Sequence, residues 1–540
     1  MTTAVRQPTA GRLSHRQVLI VLSGLMLGML LAALDQTIVA TALPTIVSEL
    51  GGINHLSWVV TAYLLASTTS TPLYGKISDL FGRKGVFQTA IVVFLAGSAL
   101  SGLSQNIGQL IAFRAVQGLG AGGLIALAMA ILGDIVSPRE RGRYQGYMSG
   151  VFAFASVAGP LLGGFFVDHL TWRWIFYINL PVGAVALLVT STVLDLPFQR
   201  ARHAIDYLGA ALLVAGVTAI LLVTVWGGDQ YPWGSPEIIG LAVLGVLLLA
   251  TFVAWERRAR EPLLPLALFH DPVFNVGSGL LFFQGLVMFG ALVFMPLYLQ
   301  VVKGADATVS GLLVLPLMAG FLTSAVSTGR LISRTGRYKL FPIVGTVVMT
   351  IGLLLFTRLD VDTSRVESSL YLAVLGLGLG MVMQVPIVAI QNSVDRRYLG
   401  TATSAANFFR SMGGSFGVAI FGAVLSSRLA HYLPQLLPKQ ALSRFDVKAL
   451  QASPARIRAL PPEIQHGIVE AIARSIHMVY VTALPLATLA ILVALTLKEL
   501  PLRRSAHIGA DPSGEAAAMP EAAMPEETGR RLRGSNPPVS

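Results

Sequence analysis

The chain has 540 residues, of which 54% are hydrophobic and only 12% charged, with a formal net charge of +12. A soluble domain carries about 25% charged residues, so water-soluble, collagen-like and disordered chains are excluded and a polytopic membrane protein remains. Cysteine is absent, which removes disulfides, thiolate zinc sites, iron–sulfur clusters and cysteine nucleophiles.

A membrane-spanning helix needs about 20 mostly apolar residues. In chain order such stretches fall in 18–42, 56–75, 86–104, 107–132, 144–167, 174–194, 206–226, 237–255, 273–300, 308–328, 341–357, 369–393, 402–427 and 476–497, which predicts fourteen spans. The first follows Arg6, Arg12 and Arg16, but its apolar run exceeds the roughly 7–15 residues of a signal peptide and reads as an uncleaved span. Alternate connections are basic: Lys76, Arg83 and Lys84; Arg139, Arg141 and Arg143; Arg257 and Arg258; Arg330, Arg334 and Arg337; Arg396 and Arg397. The short intervening ones hold only Arg173, Lys303, Arg358 and Arg365. This asymmetry predicts that both termini are cytoplasmic and accounts for the positive balance without nucleic acid. A long outer loop is expected at 431–475, and its basic residues do not overturn the assignment because long loops escape the charge rule. The tail, rich in Pro, Ala, Glu and Gly with a repeated Ala-Ala-Met-Pro-Glu, is expected to be disordered.

An internal repeat is visible. The segment Gly75–Lys84 between spans 2 and 3 resembles Gly329–Lys339 between spans 10 and 11, and Pro138–Tyr144 echoes Asp395–Gly400. Spans 1–6 therefore correspond to spans 9–14. The expected organisation is a cytoplasmic N-terminus at 1–17, a six-helix bundle at 18–200, two linking spans at 201–260, a second six-helix bundle at 261–500 and a cytoplasmic tail at 501–540. Secondary transporters are commonly built from such repeats, with the substrate near the midplane at their interface.

Charges inside spans are costly and point to function. Asp35 and Arg114 each lie about 10 Å below the outer end of spans 1 and 4, at 1.5 Å per residue, so neighbouring spans would bring them to one level. A carboxyl there sits between two influences, burial favouring the protonated form and a nearby arginine the ionised one. That suits proton coupling; a static pair ordering two helices is the plainer alternative. Neither charge has a counterpart in the second half, where the repeat lands near Phe289 and Tyr371. Arg410, the third charge within a span, lies near the inner end of span 13, where a functional role and plain snorkelling to the interface are both open. In the loop after span 2, Gly75 and Gly82 permit tight turning, and Asp79, Arg83, Lys84 and Asp134 are candidates for a cytoplasmic ionic gate, against ordinary positive-inside anchoring. Gly159, Pro160, Gly163 and Gly164 of span 5, with Gly413 and Gly417 of span 13, predict helices that slide between the halves; generic tight packing is the alternative. The cavity lining is expected to include Trp58, Tyr63, Phe283, Gln284, Met288 and Gln384, large apolar or amide side chains suited to varied amphiphiles. Gly118-Leu119-Gly120-Ala121-Gly122-Gly123 matches a dinucleotide fingerprint but follows no strand and lies within a span, so it is rejected. No metal-ligand spacing, cofactor motif or nucleotide-binding domain is present, and pumping would have to draw on a gradient.

Leu34-Asp35-Gln36-Thr37-Ile38-Val39, the Gly75–Lys84 loop, Arg114-Ala115-Val116-Gln117-Gly118, Gly159-Pro160 with Gly163-Gly164, and Trp172–Pro181 together resemble the major facilitator superfamily, specifically its fourteen-span drug:proton antiporter branch (EmrB/QacA-like). Departures are Ala40 where that branch often has Asn and Ser78 where it often has Ala. The resemblance implies an all-α fold of two six-helix bundles plus two linking spans. It further implies proton-coupled efflux of amphiphilic, often cationic compounds across the cell membrane by alternating access, with Arg114 linked to proton coupling and no enzyme activity. Rival readings are a dedicated exporter of an endogenous lipid, siderophore or metabolite, with an envelope partner at loop 431–475; proton-coupled uptake; and a non-transporting receptor or scaffold.

Overall fold

The computed structural model describes residues 15–50, 56–194, 206–228, 230–259, 261–305, 307–437, 457 and 460–502. Long helices dominate: α1 His15–Leu50, α2 Leu56–Phe81, α3 Arg83–Gly102, α4 Ile107–Ile135, α5 Pro138–His169, the short α6 Trp174–Tyr177 leading into α7 Asn179–Val193, α8 Tyr207–Trp226 and α9 Pro236–Glu256. They continue as α10 Pro272–Leu297, α11 Ala307–Thr335, α12 Leu340–Phe356, α13 Arg365–Met383, α14 Val385–Ser393, α15 Leu399–Leu436 and α16 Pro462–Leu495. Among the described residues, twelve helical stretches are long and apolar enough to cross a membrane. The two remaining expected spans fall short for different reasons. The run Ser67-Thr68-Thr69-Ser70-Thr71 dilutes the hydropathy of α2, and α12 has 17 residues.

Local chemistry sets the helix boundaries. Asn106, Asp206, Ser235 and Asp271 accept backbone N–H groups at the starts of α4, α8, α9 and α10, and Ser364 with Glu367 forms a reciprocal capping box at α13. Pro386, just after Gln384, marks the break between α13 and α14, and Pro296 precedes a π-turn at Tyr298–Val302. The expected outer loop 431–475 is shorter than its sequence suggests, because α15 runs to Leu436 and α16 starts at Pro462. Residues 438–456 and the tail beyond 502 lie outside the described residues.

Packing repeats along the chain. In the first half α1 packs on α5, α2 on α4, α3 on α4 and α1 on α7; in the second, α10 packs on α15, α11 on α13, α12 on α13 and α10 on α16. The halves meet through α2 with α15 and α5 with α11, contacts that the repeat maps onto each other. The pair α8–α9 packs on itself and, through α8, against α2 and α15. Hydrophobic cores fill each half, one around Phe87, Phe94 and Met129, the other around Phe294, Phe356 and Tyr480. The rejected glycine cluster has a packing role: a Cβ at Gly118 or Gly122 would strike the α2 backbone at Tyr63 or Ser67, and one at Gly120 the α3 backbone at Ala90 and Phe94. These glycines let α4 sit at backbone contact with two neighbours.

Candidate functional site

Because α1 and α4 pack together, Asp35 and Arg114 meet inside the first half. Asp35 Oδ2 lies 2.5 Å from Arg114 Nη1, and Oδ1 accepts a 2.8 Å hydrogen bond from Gln117 Nε2. Arg114 also donates to Gln117 Oε1 at 2.8 Å and to the Val59 carbonyl at 3.4 Å. Both charges are fully buried. The Tyr63 ring lies over the guanidinium, 4.2 Å from ring centre to Cζ, and its hydroxyl donates to the Ala32 carbonyl at 3.4 Å. Gln117 was not singled out from sequence. Its position one helical turn after Arg114 was the available signal, since residues three apart share a face.

Tyr63 also lines a small chamber of about 50 Å³, with Gln36, Ser67, Thr71, Asn407, Arg410 and Ser411. The chamber adjoins a cavity of about 730 Å³ walled by α2, α8, α10 and α15, and the two share Gln36, Ser67 and Ser411. Leu64, Leu221, Phe289 and Val418 give the larger cavity apolar walls, while Thr68, Thr224 and Ser415 add hydroxyls. Of the six expected lining residues, Tyr63 faces the chamber. Trp58 packs edge-on against Trp226, Phe283 against Phe282, Gln284 bonds Met288, and Gln384 donates to Ser149 across the two halves at 2.8 Å. Arg410 does not snorkel. It is 7% exposed, and among the described residues its Nη1 has no hydrogen-bond partner. The Arg410 carbonyl occupies the place where a Gly285 side chain would be, and this close approach of α15 to α10 fixes the residue inside the bundle.

At the end of the molecule carrying the Gly75–Lys84 loop, the halves are tied together. Arg83 bridges Asp79 at 2.6 Å and Asp134 at 2.8 Å, and donates to the Ser78 hydroxyl at 2.6 Å. Asp79 in turn accepts the backbone N–H groups of Gly400 and Thr401, at 3.1 and 2.7 Å, and the Thr401 hydroxyl at 2.8 Å. A carboxylate from one half thus caps the N-terminus of α15 in the other, where the helix dipole favours negative charge. A Cβ on Gly75 would fall 2.5 Å from the Ser404 side chain, and Gly82 turns the chain at φ +95°. Lys84 stands apart and donates to the Ser191 carbonyl. Sequence reasoning missed the mirror-related ties: Arg139 donates to the Ser333 and Arg334 carbonyls that end α11, and Arg141 bridges to the Gln391 carbonyl.

The span 5 and span 13 glycines sit elsewhere than between the halves. A Cβ on Gly159 or Gly163 would strike Thr37 or Thr41 of α1, and one on Gly413 or Gly417 the Phe282 or Leu286 carbonyl of α10, all within one half. Gly164 has open space, and Pro160 lies inside α5. The backbone contact between halves is made instead by Gly142 against Gly329 and by Gly146 against Val326.

Residues 25–418 match the Major Facilitator Superfamily. An uncharacterised MFS-type transporter from Mycobacterium tuberculosis is 43% identical over 508 residues, covering 94% of this chain and 73% of the relative. The multidrug transporter protein MdtP of Bacillus subtilis is 37% identical, covering 91% of this chain and 95% of its own. Multidrug resistance protein 3 of the same organism is 34% identical, with 86% and 92% covered. Among solved structures, the human organic anion transporter MFSD10 aligns at TM-score 0.59 with 17% identity, over 88% of this chain and 99% of its own. The proton:xylose symporter XylE aligns at 0.58 with 14% identity, over 90% and 96%. These two likenesses establish the fold. With an all-helical bundle, a matching family over most of its length and transporter relatives covering nearly all of it, the chain belongs to the Major Facilitator Superfamily of multi-pass membrane transporters, not enzymes.

Proposed function

We propose that this protein is a proton-coupled exporter of amphiphilic compounds, of the fourteen-span EmrB/QacA-like branch, working by alternating access in the cell membrane with both termini cytoplasmic. The observation that carries the reading is Asp35: a carboxylate removed from solvent and held at both oxygens by Arg114 and Gln117, with the Arg114 guanidinium under the ring of Tyr63, which also lines the cavity-linked chamber. A proton arriving through the chamber neutralises Asp35 and weakens its hold on Arg114, and the freed arginine shifts the packing of α4 on α1. Resting energy in that pair makes its protonation a strong lever, because charge interactions in a dry interior exceed those in water several-fold.

In this reading the conformation described is closed at the cytoplasmic end, where Asp79, Arg139 and Arg141 tie the halves together and Arg83, anchored on Asp134, holds Asp79 in place. The halves 18–200 and 261–500 rock about the α2–α15 and α5–α11 contacts, and the ties break as cargo enters from inside. The two Bacillus subtilis relatives, a multidrug transporter and a multidrug resistance protein, support a drug-like amphiphile as cargo. The test is pH-driven flux of a dye and drug panel in proteoliposomes. Asp35→Asn mimics the permanently protonated acid and is expected to lower gradient-driven flux by at least about tenfold, or 1.4 kcal/mol of coupling, while downhill exchange and folding persist. Equal pH-driven flux from wild type and Asp35→Asn overturns the reading.

A further inference from the structure

Three buried arginines in the first half are matched by the protein. Arg83 has two carboxylates, Arg114 has Asp35, and Arg141 has the carbonyls of Val136, Gly133 and Gln391. Arg410 differs. It is as buried as Arg83, yet among the described residues it enters no ion pair and its Nη1 has no acceptor. A guanidinium keeps its charge in proteins, and leaving a charge buried without a counter-ion is costly. The side chain lines the chamber that adjoins the 730 Å³ cavity, and among the described residues no other charged one lines either space. The one fixed charge offered to cargo is therefore positive.

We propose that Arg410 is an anion subsite, and that the preferred cargo is an amphiphile with a carboxylate head and an apolar body. The head pairs with the Arg410 guanidinium beside the Ser411 hydroxyl; the body lies against Leu64, Phe289 and Val418 in the larger cavity. This replaces the expectation of cationic cargo, which a lone buried cation repels. Asp35 does not offset it, since its two oxygens are taken by Arg114 and Gln117. The inference rests on the export reading only in taking the cavity as the cargo site.

Binding of three fluorescent probes with one ring system tests it: 1-pyrenebutyrate, 1-pyrenebutanol and a pyrenebutyl-trimethylammonium salt, titrated at pH 7.4 into the full-length protein in lipid nanodiscs, with empty discs subtracted. The carboxylate is expected to bind about tenfold tighter than the alcohol, as one charge-assisted pair supplies, and the ammonium weaker than the alcohol. Arg410→Gln is expected to collapse the carboxylate-to-alcohol ratio to near unity, and Arg410→Lys to restore part of it. A wild-type protein that binds the alcohol or the ammonium as tightly as the carboxylate overturns the proposal without any variant. So does a preference that survives Arg410→Gln. Proton-driven flux is measured separately, so loss of anion preference with intact flux condemns this inference alone, whereas anion preference without proton-driven flux condemns the export mechanism alone.

Discussion

At the residue scale the molecule turns on how a buried charge is matched. Asp35 and Arg114 are each fully enclosed and satisfied mainly by one another. Removing one partner of such a pair costs about 3–5 kcal/mol, because the other charge is left stranded, whereas replacing both can be nearly neutral. Arg114→Met alone is therefore expected to lower the melting temperature in detergent more than the double variant Asp35→Asn with Arg114→Met. Additive losses would mean that the two side chains act independently. This pair was legible in the sequence, since an ionisable residue in an apolar run stands out and depth follows from residue counting. Gln117 was not, because an uncharged amide in a helix gives no comparable signal. Arg410 stands out as a charge, but whether it snorkels or stays inside is not legible, because its lack of a partner among the described residues depends on every neighbouring helix at once.

At the element scale, helix ends and glycine contacts decide which surfaces lock. Asp79 caps α15 across the interface, and Gly75 allows α2 to reach Ser404. Gly75→Leu is expected to force α2 from α15. Since the protein has no cysteine, a Ser404→Cys reporter gives a clean readout. Its labelling by a membrane-impermeant maleimide is expected to rise at least about tenfold, the signature of about 1.4 kcal/mol lost from closure; unchanged labelling would remove Gly75 from the latch. The loop between α12 and α13 supplies a pH-dependent element. Burial alone would raise the Asp360 carboxyl, but hydrogen bonds from the Thr363 hydroxyl and N–H and the Asp362 N–H, with Lys303 nearby, hold it below the usual carboxylate range. A depressed carboxyl contributes stability that is complete above its unfolded value of about 3.9 and is lost as pH falls through the folded value. The wild type is thus expected to melt above Asp360→Asn at pH 6, with the gap closing below about pH 4; a gap constant with pH would exclude the carboxylate as its source. The glycine stripes of spans 5 and 13 teach a related lesson. Small-residue spacing marks close helix approach in a sequence, but not which neighbour approaches, and Thr37, Thr41, Phe282 and Leu286 are the neighbours here.

At the scale of the whole molecule, two halves of like topology carry unlike charges. The repeat was legible because loop signatures recur, and the paired helix contacts follow it. The asymmetry gives the first half a carboxylate sealed with its own arginine and the second half an arginine lining the chamber beside the cavity. Under one-for-one exchange with a proton, this has an electrical consequence. A monovalent cation leaving as a proton enters moves no net charge; a neutral cargo moves one positive charge inward; a monovalent anion moves two. Each charge is driven by about 2.3 kcal/mol per 100 mV, so a potential negative inside favours anion export by roughly twice the free energy it gives a neutral compound. Charge moved per cargo, measured in proteoliposomes from probe flux and membrane current together, is expected to be about two for 1-pyrenebutyrate, one for 1-pyrenebutanol and zero for the trimethylammonium probe, as follows from that driving term. Equal ratios for all three would mean that the proton count adjusts to the cargo, and Asp35 could then not be the sole proton carrier of the cycle.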